Sequence, residues 1–104
     1  MNKIDNNQDH LNLLRKIKSK PNSTQRELAK ELGFSLGKLN YCLKALMGKG
    51  LIKIKNFQKN PDKSVYFYIL TAKGINTKAK LTLNFMKRKM REYDELKSEI
   101  EKDK

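Results

Sequence analysis

The chain has a single cysteine, Cys42, and a single histidine, His10. One cysteine cannot form an internal disulfide, so a reducing compartment is the default expectation. One histidine cannot supply a histidine pair for a metal. Paired catalytic carboxylates, a Cys-x-x-Cys motif and a phosphate loop are all missing from the sequence. Nothing supports catalysis, a metal or a cofactor, and the chain reads as a non-enzyme. The start, "MNKIDNNQDH", has no apolar signal core. No apolar run approaches the roughly 20 residues that a membrane span needs. A soluble cytoplasmic protein without a membrane partner is expected. Acids are also scarce: 11 Asp and Glu stand against 24 Lys and Arg, for a formal net charge of +13. Such a surplus repels itself and favours a polyanionic partner.

The 104 residues suffice for one small domain, and 38% hydrophobic content makes its core a limited one. Residues 1–8 read as a loose polar leader. From Asp9, a plausible N-cap, "DHLNLLRKIKSK" places Leu11, Leu14 and Ile17 at helical spacing. "PNS" stops this helix. "TQRELAKELG" opens with Thr24 and has Glu27 three residues later, a capping-box pattern. Its apolar stripe is Leu28, Ala29 and Leu32, and Gly33 suits a left-handed helix end. Ser35 caps a third helix whose buried side is Leu36, Leu39, Cys42, Leu43 and Leu46, with Gly48 and Gly50 ending it. Two short helices joined by a tight glycine-containing turn form a helix-turn-helix.

The period then changes from 3.6 to 2. "LIKIKNF" and "SVYFYIL" read as strands, joined by a turn at Asn60-Pro61-Asp62. Thr71 caps a last helix of about 30 residues, which Gly74 weakens in its first turn. The order gives a mainly α fold with a small β-hairpin. It is a winged helix-turn-helix, three helices plus a wing over residues 9–71, followed by a long C-terminal dimerisation helix over 72–104.

Two surfaces stand out. On the third helix, Gly37, Asn40, Tyr41 and Lys44 lie opposite the leucines. Side chains from the first half of such a helix reach base edges in the major groove. Glycine permits close backbone approach, Asn40 can pair with adenine, and Tyr41 and Lys44 can meet phosphate or base. A plain solvated face is the alternative. Thr24, Gln25, Ser35 and Lys38 complete the candidate DNA-binding set on the two helices. Lys59, Asn60, Lys63 and Ser64 at the hairpin tip are candidates for the phosphate backbone. Cys42, on the edge of the apolar face, reads as a small buried hydrophobe rather than a redox sensor.

The second surface is on the last helix. Met86, Met90, Tyr93 and Ile100 make a heptad seam broken at Lys97, with Leu83 and Leu96 completing the candidate dimerisation set. Residues 78–91 hold six cations and no acid, whereas 92–104 hold six acids and three lysines. That split favours an antiparallel pairing.

The segments "STQRELAKELGFSLGKLNYCLKALMGKGLIKIKNF", "YFYILTAKGI" and "KAKLTLNFMKRKMREYDELKSEIE" resemble the MarR-type winged-helix transcriptional regulators. They look closest to the short group described as exopolysaccharide-associated (EPS-associated). The resemblance covers about residues 10–101. It implies a homodimeric, sequence-specific regulator of transcription that binds double-stranded DNA, with the third helix in the major groove. The chain departs from the longer proteins of that family in having no long N-terminal dimerisation segment and a single C-terminal helix. The effector pocket of those proteins is therefore expected to be absent, and no small-molecule effector is implied. Two other readings stay open on the residues alone: a winged-helix module for protein or RNA, and a nucleoid-type architectural protein.

Overall fold

The computed structural model describes residues 3–55 and 66–103, with side chains from Asn7 onward. The order is α1 (Lys3–Ser19), α2 (Gln25–Leu32), α3 (Leu36–Gly48), β1 (Ile52–Ile54), β2 (Tyr68–Leu70) and α4 (Ala72–Lys102). The strands pair antiparallel, with Ile52 opposite Leu70 and Ile54 opposite Tyr68. The hairpin turn, including Asn60-Pro61-Asp62, lies outside the described residues.

Helix α1 starts at Lys3, so the expected leader over 1–8 is helical from its third residue and Asp9 is not a cap. The segment "NNQD" has no apolar residue through which a helical period could show. A side-chain bond one turn apart, from Gln8 Nε2 to Asn12 Oδ1 at 3.1 Å, fits its helical state. Asp9 instead accepts from the Lys38 ammonium of α3 at 3.0 Å. Leu11, Leu14 and Ile17 are buried as expected, and Leu13 is buried with them. The stripe is wide because α1 touches α2, α3, β2 and α4.

Local chemistry sets the next boundaries. Thr24 caps α2 in a complete capping box: its hydroxyl accepts from Glu27 N, and the Glu27 carboxylate accepts from Thr24 N. Gly33 ends α2 at φ +70°, and Phe34 N donates back to Ala29 O at 2.9 Å. The Ser35 hydroxyl accepts from Lys38 N at 3.0 Å and opens α3. Gly48 remains inside α3, while Gly50 takes the left-handed turn at φ +73° that sends Leu51 into the core.

Leu39, Cys42, Leu43 and Leu46 bury α3 against α1 and α2. Leu36, expected with them, is 47% exposed. At 100° per residue it sits about 70° from the middle of that stripe, at the edge of the helix's buried arc. Ile54 is likewise exposed although Ile52 is buried. The cross-strand partner of Ile54, Tyr68, is buried in the core, so at this pair the tyrosine and not the isoleucine fills the buried place.

Thr71 caps α4 by accepting from Gly74 N at 3.0 Å, and its own hydroxyl donates to Gly50 O at 2.6 Å. The first turns of α4 lie on the domain, with Leu81 half-buried against the core. From Leu83 onward its apolar residues face outward, Phe85 excepted as half-buried. The helix has 31 residues, about 46 Å at 1.5 Å per residue, in a molecule 65 × 27 × 24 Å across.

Candidate nucleic-acid interface

Helix α3 owes its placement to its other side. Four fully or nearly buried side chains fix its rotation, and this leaves Gly37, Asn40, Tyr41 and Lys44 exposed along one strip. The side chains of Asn40, Tyr41 and Lys44 make no hydrogen bond or ion pair with any other described residue. The strip thus offers an amide, a phenol and an ammonium that the fold itself does not use. Tyr41 is 59% exposed, a large solvation load for an aromatic ring with no structural task. Gly37 has ordinary helical backbone, and a Cβ there would meet nothing nearer than Ser35 Oγ at 4.0 Å. Neither backbone conformation nor internal packing requires glycine at this position.

The remaining helical candidates have tasks inside the molecule. Thr24 and Ser35 spend their hydroxyls on caps. Gln25 Nε2 donates to the Tyr68 hydroxyl at 2.8 Å, tying the start of α2 to β2. Lys38 points away from the strip, toward α1, where it pairs with Asp9 and lies 4.4 Å from the Phe34 ring centroid. All four thus have partners within the fold. Lys59, Asn60, Lys63 and Ser64 lie outside the described residues.

Two further exposed residues, one on α3 and one on α2, lie outside the candidate set. Leu36 is exposed in the first turn of α3, next to Asn40 in angular position, and can meet an apolar base edge such as a thymine methyl. No sequence signal separates it from the buried leucines. Arg26 is exposed in the first turn of α2 and has no ion pair with a described residue. A cation at the positive end of a helix dipole opposes the usual preference for acids there. That misfit is a signal the sequence does carry, and an external phosphate would resolve it. At the base of the wing, Lys55 Nζ donates to Asn22 Oδ1 at 2.9 Å, joining the loop before α2 to the end of β1.

Three ionisable groups away from the strip are shifted by their surroundings. Burial pushes the Cys42 thiol above its ordinary pKa, and the nearby Asp9 carboxylate adds to this. A thiol held in its neutral form is a poor nucleophile, in keeping with the small-hydrophobe reading. Burial lowers the His10 pKa, helped by Lys49 and opposed by Asp9. Glu31 is held below the usual carboxylate range, first by its hydrogen bond from Lys20. It faces an open polar cleft of about 370 Å³ between α1 and α2, with Arg15 and Lys16 on the other side. Among the described residues no group of three or more His, Cys, Asp or Glu could hold a metal ion. No described helix is long and apolar enough to cross a membrane.

The exposed seam of α4 is Leu83, Met86, Met90, Tyr93 and Ile100, from 51% exposed at Leu83 to 65% at Tyr93, with Leu96 beside it. None of these side chains has a partner from the winged domain's core.

Comparison with known proteins agrees with this architecture. Residues 10–53 match the family described as winged helix-turn-helix DNA-binding. No curated protein matches the chain. Among solved structures it is similar to FabT of Streptococcus pneumoniae in complex with DNA, at 26% identity and TM-score 0.62, over 83% of this chain and 58% of that one. It is similar to the transcriptional repressor CouR bound to a 23-mer DNA duplex, at 28% identity and TM-score 0.70, over 83% and 59%. It is also similar to apo MarR from E. coli, at 29% identity and TM-score 0.61, over 69% and 52%. The chain thus spans less than two thirds of the length of each of these proteins. Placement in the exopolysaccharide-associated group rests on the sequence resemblance alone. The chain has a winged helix-turn-helix over residues 10–53, and its fold is similar to that of FabT, CouR and MarR.

Proposed function

We propose that the protein is a sequence-specific regulator of transcription that binds double-stranded DNA, with α3 in the major groove. The observation that carries this reading is the strip of Gly37, Asn40, Tyr41 and Lys44, exposed and unused by the fold, on the second helix of a helix-turn-helix. A net charge of +13 supplies the long-range attraction to a polyanion. The repressor CouR, similar over most of this chain, is bound to a DNA duplex. In this reading Asn40 and Leu36 read bases, Lys44 and Arg26 take phosphates, and the wing lysines Lys59 and Lys63 add backbone contacts. The protein works by binding and not by catalysis, in the cytoplasm, as a homodimer joined through α4. No small-molecule effector enters this scheme.

Selection from random duplex DNA with the purified full chain tests it. A recovered inverted repeat, bound at least ~10³-fold more tightly than random DNA, is the expected result. Binding that stays at the non-specific level of ~10⁻⁴–10⁻⁶ M overturns it and leaves an architectural protein or a protein- or RNA-binding module.

A further inference from the structure

The exposed face of α4 repeats with heptad spacing. Leu83, Met90 and Lys97 occupy one class of seam position; Met86, Tyr93 and Ile100 occupy the other. All the apolar members are more than half exposed. We infer that this face docks a second copy of the chain antiparallel, about a two-fold axis between Arg91 and Glu92, so that Leu83 meets Ile100 of the partner subunit, Met90 meets Tyr93 of the partner subunit, and Lys97 meets Met86 of the partner subunit. The inference rests on the homodimer of the proposed function and specifies its register and direction.

Three features of the helix select this arrangement. An antiparallel pair sets each position of one class against the other class, and a centre between Arg91 and Glu92 achieves this at every step of the seam. Lys97 is the second feature. In a parallel pair it would face its own copy, bringing two ammonium groups together inside the seam. In the antiparallel register its aliphatic stem covers Met86 of the partner subunit, and its ammonium reaches water at the edge. The third is the charge split: six cations without an acid over 78–91, then six acids with three lysines over 92–104. Antiparallel packing lays the basic half of one helix along the acidic half of the other, and brings Lys87 opposite Asp94 of the partner subunit. Within one helix only Lys89 finds an acid, Glu92 at 3.3 Å, among the described residues.

The pairing sends the two winged-helix units to opposite ends. Thr71 lies about 20 residues from the axis, so the two Thr71 caps stand roughly 60 Å apart. The coil acts as a spacer that holds the recognition helices apart.

Cysteine cross-linking of the full chain without DNA tests the direction. Leu83→Cys and Ile100→Cys are both at exposed positions and leave the fold intact. Cys42 is buried and stays in place. Under mild oxidation, a covalent dimer should dominate when the two variants are mixed and be nearly absent with either alone. Self-linking of each single variant would establish the parallel arrangement and overturn the inference. A dimer by sedimentation with no cross-link in any combination would mean a different face, and also overturns it. A monomer at all concentrations removes the dimer itself, while the DNA selection above stands or falls separately. Salt gives a second readout. The dimer dissociation constant should rise at least about threefold between ~0.05 and ~0.5 M salt, as attraction between unlike halves is screened. A fall would signal like halves side by side and overturn the antiparallel direction.

Discussion

A Cβ placed on Gly74 would lie 1.9 Å from the carbonyl oxygen of Leu51. The first turn of α4 therefore rests directly on the backbone that leaves α3. Leu51 O also accepts from Thr71 N at 3.0 Å, so one carbonyl fixes both the cap and the first turn. The glycine, which weakens the helix locally, is what allows the long helix to dock.

Gly74→Ala should accordingly destabilise the protein. Helix propensity alone favours alanine by about 1 kcal/mol. The clash is with backbone, which cannot rotate away, and overpacking of this kind costs ~1–3 kcal/mol or more. Overpacking wins, and the midpoint of chemical denaturation should fall. A rise in the midpoint would mean that α4 does not sit on Leu51.

Gly37→Leu should behave in the opposite way. A Cβ there has 4.0 Å of clearance from its nearest neighbour, and the backbone is ordinary helix. Stability should hold or improve by up to ~0.8 kcal/mol on propensity. Affinity for the selected operator should fall, because the side chain stands between α3 and the groove. Normal binding by this variant would show that close approach is not why glycine is there.

Asn40 and Lys44 should divide specificity from anchoring. Asn40→Ala should cost about 1–3 kcal/mol on the operator and little on random DNA. Lys44→Ala should weaken both and reduce the salt slope of binding by about 1. Both residues are exposed and free of internal bonds, so thermal melting of the two variants should match the parent. Equal losses for Asn40→Ala on both DNAs would count against base readout.

At the wing, the double substitution of Lys59 and Lys63 by alanine should weaken operator and random DNA alike. The magnitude of the salt slope should drop by up to ~2, one for each phosphate released. An unchanged slope measured by titration from low to moderate salt would put the wing off the DNA.

His10 should make stability pH-dependent in a narrow window. Its side chain is buried, its Nε2 has no hydrogen-bond partner among the described residues, and burial lowers its pKa from 6.5. Lys49, at the end of α3, pushes the same way, and the neighbouring Asp9 opposes. Below pH 6.5 the unfolded chain takes up the proton more readily than the folded one. Stability from this group is therefore complete above pH 6.5 and declines as pH falls from there toward the folded value. Urea midpoints of the parent should drop as pH falls below 6.5, and His10→Leu should flatten that part of the profile. Glu31, held low by Lys20, loses its contribution only at more acidic pH, below 4.5.

Much of the fold is set within a few residues. Thr24, Ser35 and Thr71 each bond an amide three residues on, and Gly33 and Gly50 turn where only glycine is comfortable. Such contacts are local, so sequence alone places the starts of α2, α3 and α4, the turn of the helix-turn-helix, and the exposed strip on α3. The start of α1 is not local in this sense. Asp9 has the chemistry of a cap, but its carboxylate is taken by Lys38, 29 positions away, and the helix runs on ahead of it. Lys38 and Gln25 stand in the candidate DNA-binding set on sequence alone, and only the tertiary structure reveals their internal partners, Asp9 and the Tyr68 hydroxyl. Leu13 and Leu36 differ from expectation because periodicity reports which side of an element is apolar, whereas depth depends on how far the neighbouring elements extend over it. Gly74 gives the sharpest case. Sequence marks a weak helix start, and only the carbonyl of Leu51, 23 residues earlier in the chain, supplies the steric reason for it.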